Sequence, residues 1–193
     1  GATTFAQNGQ IQNGGFENWT NTTLYDHLVD WTDSNSDQFQ GVAVTNQSTD
    51  AQLGTYSVEI SAAEIGMAPD TTFGYVFHGT VGQNGPDGGI PYVADFDEVR
   101  FQYKSDIAAG DTMYLLCIRY DAGGNELDFT ILPAAFGTAS NWTQGSISVP
   151  VIAQTNLFIG FVMGDPFGNE SPTPGSWARI DNVEMYNGGS ATT

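Results

Sequence analysis

The chain is expected to be all-β, an antiparallel β-sandwich of jelly-roll type, and three observations lead there. There are nine short strand-like segments, most of which alternate apolar and polar residues at period two and are rich in Val, Ile, Tyr, Phe and Thr. Turn signals such as NGPDGG, DAGGN and GDPFGNESPTPGS separate them. No segment holds a helical period over three turns with caps at both ends, and there is no internal repeat.

The expected strands run in order along the chain. They are 41–46 (GVAVTN), 56–62 (YSVEISA), 73–81 (FGYVFHGTV), 98–105 (EVRFQYKS) and 112–121 (TMYLLCIRYD). Then come 127–133 (LDFTILP), 142–151 (WTQGSISVPV), 156–164 (NLFIGFVMG) and 178–186 (ARIDNVEMY). At 193 residues this is one domain, long enough to bury a sizeable core alone. The front end, residues 1–10, reads as the remnant of a secretory leader, residues 11–186 as the sandwich, and residues 187–193 as a small-polar linker to another domain. A secreted or cell-surface location is therefore expected.

Composition limits the partners. With 22 acidic residues against 4 basic ones the net charge is −18, which repels nucleic acid and anionic membranes. No stretch nears the roughly 20 apolar residues needed to span a bilayer. The same acidity supplies oxygen ligands for hard cations such as calcium. The single cysteine, Cys117, cannot form an intramolecular disulfide and reads as a small buried hydrophobe in MYLLCIRY.

Alternation also assigns faces. In 98–105, Val99, Phe101 and Tyr103 point to the core, and Arg100, Gln102 and Lys104 point away together. Arg119 falls in the next strand, read as a neighbour. Arg100, Lys104 and Arg119, three of only four basic residues, thus sit on these two strands, either to pair with the acidic surface or to form a polar face that hydrogen-bonds a ligand. Tyr75 and Phe77 alternate with Val76 and His78, so one pair is core and the other is free to face a groove.

Four motifs in fixed order carry a resemblance: NGGFENW (13–19) followed by LVDWT, then LGTYSVEIS (53–61), then ARIDNVEMY (178–186). Over residues 11–186 the chain resembles carbohydrate-binding modules of the families 4 and 9 type, with a galactose-binding-like jelly roll. GGIPY, FQYKS and GDTMYLLC further resemble carbohydrate-metabolism modules of secreted Bacteroidetes proteins. The resemblance implies a structural calcium ion where the chain ends meet. Its ligands would be the Glu17 and Asp181 carboxylates with carbonyls of Gly15 and near Gly54. The plainer reading of Glu17 is a solvated turn carboxylate.

Sugar-binding modules stack aromatic faces on pyranose rings and bond hydroxyls with polar side chains. Trp142 and Trp177 read as core residues, while Trp19 and Trp31 flank the first long loop. The expected ligand surface is Arg100, Gln102 and Arg119 with Tyr120 as a stacking partner, and Trp31. The acidity favours neutral glycans.

Catalysis is weighed against this. Asp95, Asp97 and Glu98 cluster in DFDE, and Asp165 and Glu170 share a late loop, but no desolvating pocket is evident around any pair. Two histidines, His27 and His78, are too few for a His-rich zinc site, and no G-x-S-x-G elbow is present. The reading is a monomeric, non-catalytic module with structural calcium that binds polysaccharide or oligosaccharide beside a tethered domain. The alternatives are a calcium-stiffened spacer and, further off, a glycoside-active enzyme.

Overall fold

The computed structural model of the protein describes residues 7–21, 25–37, 42–66, 70–82, 85–167 and 171–188. Gly41 and Glu170, the leader remnant up to residue 6 and the linker beyond residue 188 lie outside the described residues.

In chain order the early strands are β1 (Gln7–Gln10), β2 (Trp19–Asn21), β3 (Asp26–Leu28), β4 (Thr32–Asp33), β5 (Thr45–Ser48) and β6 (Ser57–Glu64). Next come β7 (Thr71–Phe73), β8 (Tyr75–His78), β9 (Val81–Gly82), β10 (Gly85–Pro86) and β11 (Ile90–Pro91). The long strands follow: β12 (Glu98–Asp106), β13 (Met113–Tyr120), β14 (Glu126–Ala135), β15 (Thr138–Ser148), β16 (Asn156–Met163) and β17 (Trp177–Asn187). The one helical element among the described residues is a 3-10 turn at Ser34–Asp37.

Two antiparallel sheets face each other. One runs β15-β12-β17-β6-β5, with β1 added to β17 and β7 to β6. The other runs β14-β13-β16-β8-β4, with β11 added to β16. Each of the nine expected segments contains strand, but 41–46 is strand only from Thr45 and 73–81 is broken. Gly74 interrupts it because a Cβ there would overlap the Val44 carbonyl, and the backbone instead bonds across, Gly74 N to Ser61 O at 2.7 Å. Gln7–Gln10, which the sequence reading set outside the sandwich, pairs with β17 from Gln7↔Asn187 to Gln10↔Glu184.

The core lies between the sheets, built by the inward half of each alternation. Val58, Ile60, Val99, Phe101, Ile180 and Met185 face Met113, Leu115, Cys117, Ile159, Phe161 and Met163. Phe101 and Phe161 meet edge to face across the gap, centroids 5.0 Å apart. Each fully buried large side chain contributes about 1.5–3 kcal/mol. The Cys117 thiol is fully buried, and burial pushes it up to about 12; it packs as a hydrophobe.

The two central strands of the second sheet, β13 and β16, are largely apolar on both faces. On β13, Leu116, Ile118 and Tyr120 form a second cluster with Phe158 and Val162 of β16, outside the sandwich core. A strand that alternates Leu and Ile with Leu and Cys, rather than with charge, is one that is covered on both sides. That outer layer is where the fold positions its candidate site.

Candidate functional site

The outer face of the six-stranded sheet is assembled in cross-strand rows. Ile131, Leu116, Gly160 and Phe77 lie opposite one another across β14, β13, β16 and β8. Pro133, Tyr114, Val162 and Tyr75 form the adjacent row, and Phe129, Ile118 and Phe158 the row on the other side. Residues opposite on one face sit close enough for side chains to pack. Val76 and His78 point inward, so Tyr75 and Phe77 are the outward pair; their rings stack with centroids 4.6 Å apart and planes 13° apart. Phe77 lies against Gly160, where a Cβ would overlap its ring, and meets Phe158 at 5.2 Å.

Beside these rows lies a groove of about 310 Å3. Leu116, Ile118, Tyr120, Phe129 and Ile131 line its floor, and Pro86 and Phe167 flank it. Phe129 is 43% and Phe167 68% exposed, far more than large aromatics in a core. Glu126 is the one carboxylate among the described residues lining it. Burial raises the Tyr120 phenol, so it stays protonated and able to donate.

The expected ligand residues do not share a surface. Arg100 and Gln102 point outward from β12, as expected, but on the seven-stranded sheet. β12 is flanked by β15 and β17, and the chain crosses to the other sheet before β13. Arg119 on β13 is therefore no neighbour; it points inward and is fully buried. It pairs with Asp128 at 2.9 Å, donates to the Pro150 carbonyl and lies over the Phe96 ring at 5.1 Å. Trp31 is also core, 6% exposed, its indole donating to Gln12 O. Only Tyr120 of the five lines the groove. Trp142 and Trp177, expected in the core, are half-buried on the outer side, against Lys104 and Arg179.

The charged face belongs to the seven-stranded sheet. Arg100 holds Glu98 at 2.7 Å and covers the Tyr186 ring at 3.1 Å. Lys104 and Arg179 share Asp50, at 2.9 and 2.8 Å, and Arg179 also takes Glu59 at 2.8 Å. With Arg119 on Asp128, all four basic residues are paired. Of the two readings open for the strand cations, the geometry is that of charge pairing.

Gly15, Glu17, Gly54 and Asp181 do come together. Gly14 passes so close to β17 that a Cβ would sit 2.6 Å from Val183 O, and Val183 N donates to Gly14 O at 2.8 Å. This docks the NGGFE turn beside Asp181. Loop 52–56 lies between the two carboxylates. Asp181, fully buried, accepts from Gln52 N at 2.7 Å, Leu53 N at 3.0 Å and Asn182 N at 2.7 Å. Glu17, exposed, accepts from Thr55 N at 3.0 Å and Tyr56 N at 3.2 Å. Gly54 (φ 77) leaves no room for a side chain against Glu17. Burial chiefly, with the Glu17 charge adding, raises Asp181 above its ordinary value. Each carboxylate adjoins a left-handed residue: Phe16 (φ 52), bulky and fully buried, and Asn182 (φ 49). Such outliers persist only where the surroundings impose them. Carboxylates are the right donors for a hard cation such as calcium, but here both accept backbone amides of loop 52–56, so a cation would have to take lone pairs from those bonds.

No family model matches the sequence, and no curated protein sequence matches it either. Solved structures do. A protein of Bacteroides thetaiotaomicron, provisionally assigned as a glycoside hydrolase, superposes with TM-score 0.71 at 15% identity over 89% of this chain and 69% of its own. The enzymatically active domain of tailspike protein 4 of bacteriophage CBA120 superposes with TM-score 0.54 at 16% identity over 93% of this chain and 21% of its own. A family 11 carbohydrate-binding module of Clostridium thermocellum, in complex with a β-1,3-1,4-mixed-linked tetrasaccharide, reaches only 0.49 at 13% identity, over 96% of this chain and 98% of its own. That last likeness is too loose to argue from. The first two establish that the chain has the antiparallel β-sandwich fold of these structures. Fold alone does not assign an activity.

Proposed function

We propose that the protein is a non-catalytic carbohydrate-binding module that holds a neutral polysaccharide along the outer face of its six-stranded sheet. The observation that carries this is the aromatic surface: the stacked Tyr75–Phe77 pair and the exposed Phe129 and Phe167 bordering a groove of about 310 Å3. Rings with an open face receive the apolar side of a pyranose, and the Tyr120 hydroxyl and the Glu126 carboxylate supply hydrogen bonds at the groove wall. Neutral glycans are favoured because every cation is already engaged on the other sheet or in the core, leaving an acidic surface that repels uronic or sulfated chains. Glycosidic hydrolysis runs on two carboxylates across the bond, and the described lining offers Glu126. In this reading the module belongs to a secreted protein of the carbohydrate-binding families 4 and 9 type, with a calcium ion held by Glu17, Asp181 and the turns at Gly15 and Gly54. Its contribution is to raise the local concentration of glycan around a tethered domain.

The test is affinity electrophoresis through gels containing β-glucan, xylan or mannan, with Phe129→Ala and Phe167→Ala beside the wild type. Both side chains are exposed, so thermal stability should change by no more than about 0.5 kcal/mol. At least one neutral glycan should retard the wild type, and each substitution should weaken that retardation about tenfold. A protein retarded by none of the three does not bind through this face. Release of reducing ends from any of them would instead make it an enzyme.

A further inference from the structure

A second cavity, of about 260 Å3, opens where β8, β11 and β16 end. Ile11, Ile90, Pro91 and Leu157 give it apolar walls, Gln12 adds a neutral polar residue, and His78 and Tyr92 reach it with polar atoms. It lies on the inner side of β16: Leu157 points into it, whereas Phe158, one residue on, packs toward the outer groove. β11 is laid against β16 by close backbone approach, since a Cβ on Gly89 would sit 2.5 Å from Leu157 N.

The polar atoms are what distinguish this cavity from a packing gap. His78 is only 4% exposed, and its Nε2 is buried with no hydrogen-bond partner among the described residues. The same holds for the Tyr92 hydroxyl. Native proteins rarely leave such atoms orphaned, and two at one cavity call for a missing partner. Both rings are held in place. His78 stands edge-on to Trp31, centroids 5.3 Å apart, and Tyr92 edge-on to Phe96 at 5.8 Å. The Tyr92 backbone is fixed by its amide donating to Thr155 O at 2.9 Å.

The chemistry of the partner follows from what the walls lack. No cation reaches the cavity, because all four are paired elsewhere, so an anion finds no counter-charge. Burial lowers His78 despite the nearby Asp30, which favours a neutral imidazole with one donor and one acceptor nitrogen. Burial pushes Tyr92 up to about 12, so it remains a phenol. The volume lies below that of pockets that take drug-sized ligands, roughly 300 Å3 and up. It is several times the roughly 30 Å3 share of one water.

We propose that this cavity is a second ligand site, separate from the sheet-face groove, that takes one neutral six-membered ring bearing a hydroxyl, bonded by His78 Nε2 and the Tyr92 hydroxyl. The ring is either a free small molecule or the end residue of a longer glycan. The chemistry is shared, and the two sources separate on titration.

The experiment follows the His78 imidazole nitrogens by NMR while adding cyclohexanol, methyl β-xyloside or methyl β-glucoside to 50 mM. At least one probe should shift the His78 signal saturably. His78→Phe and Tyr92→Phe should each weaken that probe at least tenfold, detected from the ligand's own signals. Both variants should fold, because each removes a buried polar atom that has no protein partner. The disaccharides xylobiose and cellobiose then separate the sources: binding equal to the monomer's marks a chain end, and binding of the monomer alone marks a free ring. If no probe moves His78 at 50 mM, the cavity holds only water and the proposal falls. It falls equally if both variants bind as the wild type does. The result is independent of the sheet face: Phe129→Ala should leave probe binding unchanged.

Discussion

Asp50 gathers more positive charge than any single carboxylate could from an ordinary surface pair. It takes Lys104 and Arg179 together, and the Trp142 indole at 3.3 Å. The Lys104 hydrogen bond chiefly, then its charge and Arg179, lowers Asp50 below its ordinary value of 3.8. A carboxylate that is more acidic folded than unfolded contributes stability in full above the unfolded value and loses it as pH falls through the folded one. Asp50→Asn should therefore melt below the wild type at pH 7, and the gap should close only below about pH 4. A gap of constant size down to pH 2 would show that charge is not what Asp50 contributes. Glu17 and Asp181 are the second case at this scale. Two like charges converge on loop 52–56, so a divalent cation between them should stabilise the fold by mass action. Melting in millimolar calcium should exceed melting in EDTA for the wild type, and Glu17→Ala or Asp181→Ala should remove most of that difference. A calcium gain that survives both substitutions would place the ion elsewhere. The convergence of these two residues, 164 positions apart, was readable from NGGFE and IDNV as motifs. The amide bonds that loop 52–56 makes to them were not, because they depend on how Gly14 docks on β17.

At the scale of elements, the sheet face depends on one absent side chain. Gly160 lies opposite Phe77 in the ladder, and the Phe77 ring occupies the space its Cβ would need. Gly160→Ala should cost about 1–3 kcal/mol through overpacking, measured by urea unfolding, and should disturb glycan retardation as well. A neutral result would mean that both the Phe77 ring and the Val76 carbonyl, 2.5 Å from that Cβ, give way freely, so that Phe77 is no fixed platform. Strand existence and the direction of β12's side chains were legible because period-two alternation survives at single-residue resolution. Sheet membership was not. Nothing local in the sequence distinguishes a hairpin between β12 and β13 from the crossing that the chain makes, and Arg119 was misplaced with it. The outer face did carry a signal. MYLLCIRY and NLFIGFVM are apolar on both alternations, which marks strands covered on two sides and makes Tyr114, Phe158 and Tyr120 an outer layer.

The whole molecule is two-sided in its chemistry. Its cations sit on the seven-stranded sheet or in the core, the exposed Phe129 lies on the six-stranded sheet, and the full chain carries a net charge of −18. Self-repulsion of that size opposes folding and is screened by salt, over about 10 Å at 0.1 M. The melting temperature at pH 7 should therefore rise between 0.05 and 1 M NaCl, while retention on a neutral glycan should hardly change. A falling melting temperature would mean that the paired cations outweigh the repulsion. The ladder between β1 and β17 has a mechanical side. Gln7 lies beside Asn187, so the start of β1 and the end of β17 share one end of this ladder. A force pulling these two points apart loads the ladder from its tip and opens it one rung at a time, like a zipper. Facing pairs alternate between two backbone hydrogen bonds and none, so the ladder gives way two bonds at a time, each about 1 kcal/mol net. The paired segment is thus built to peel away first, while β17 keeps its hold on β12 and the sandwich stays closed behind it.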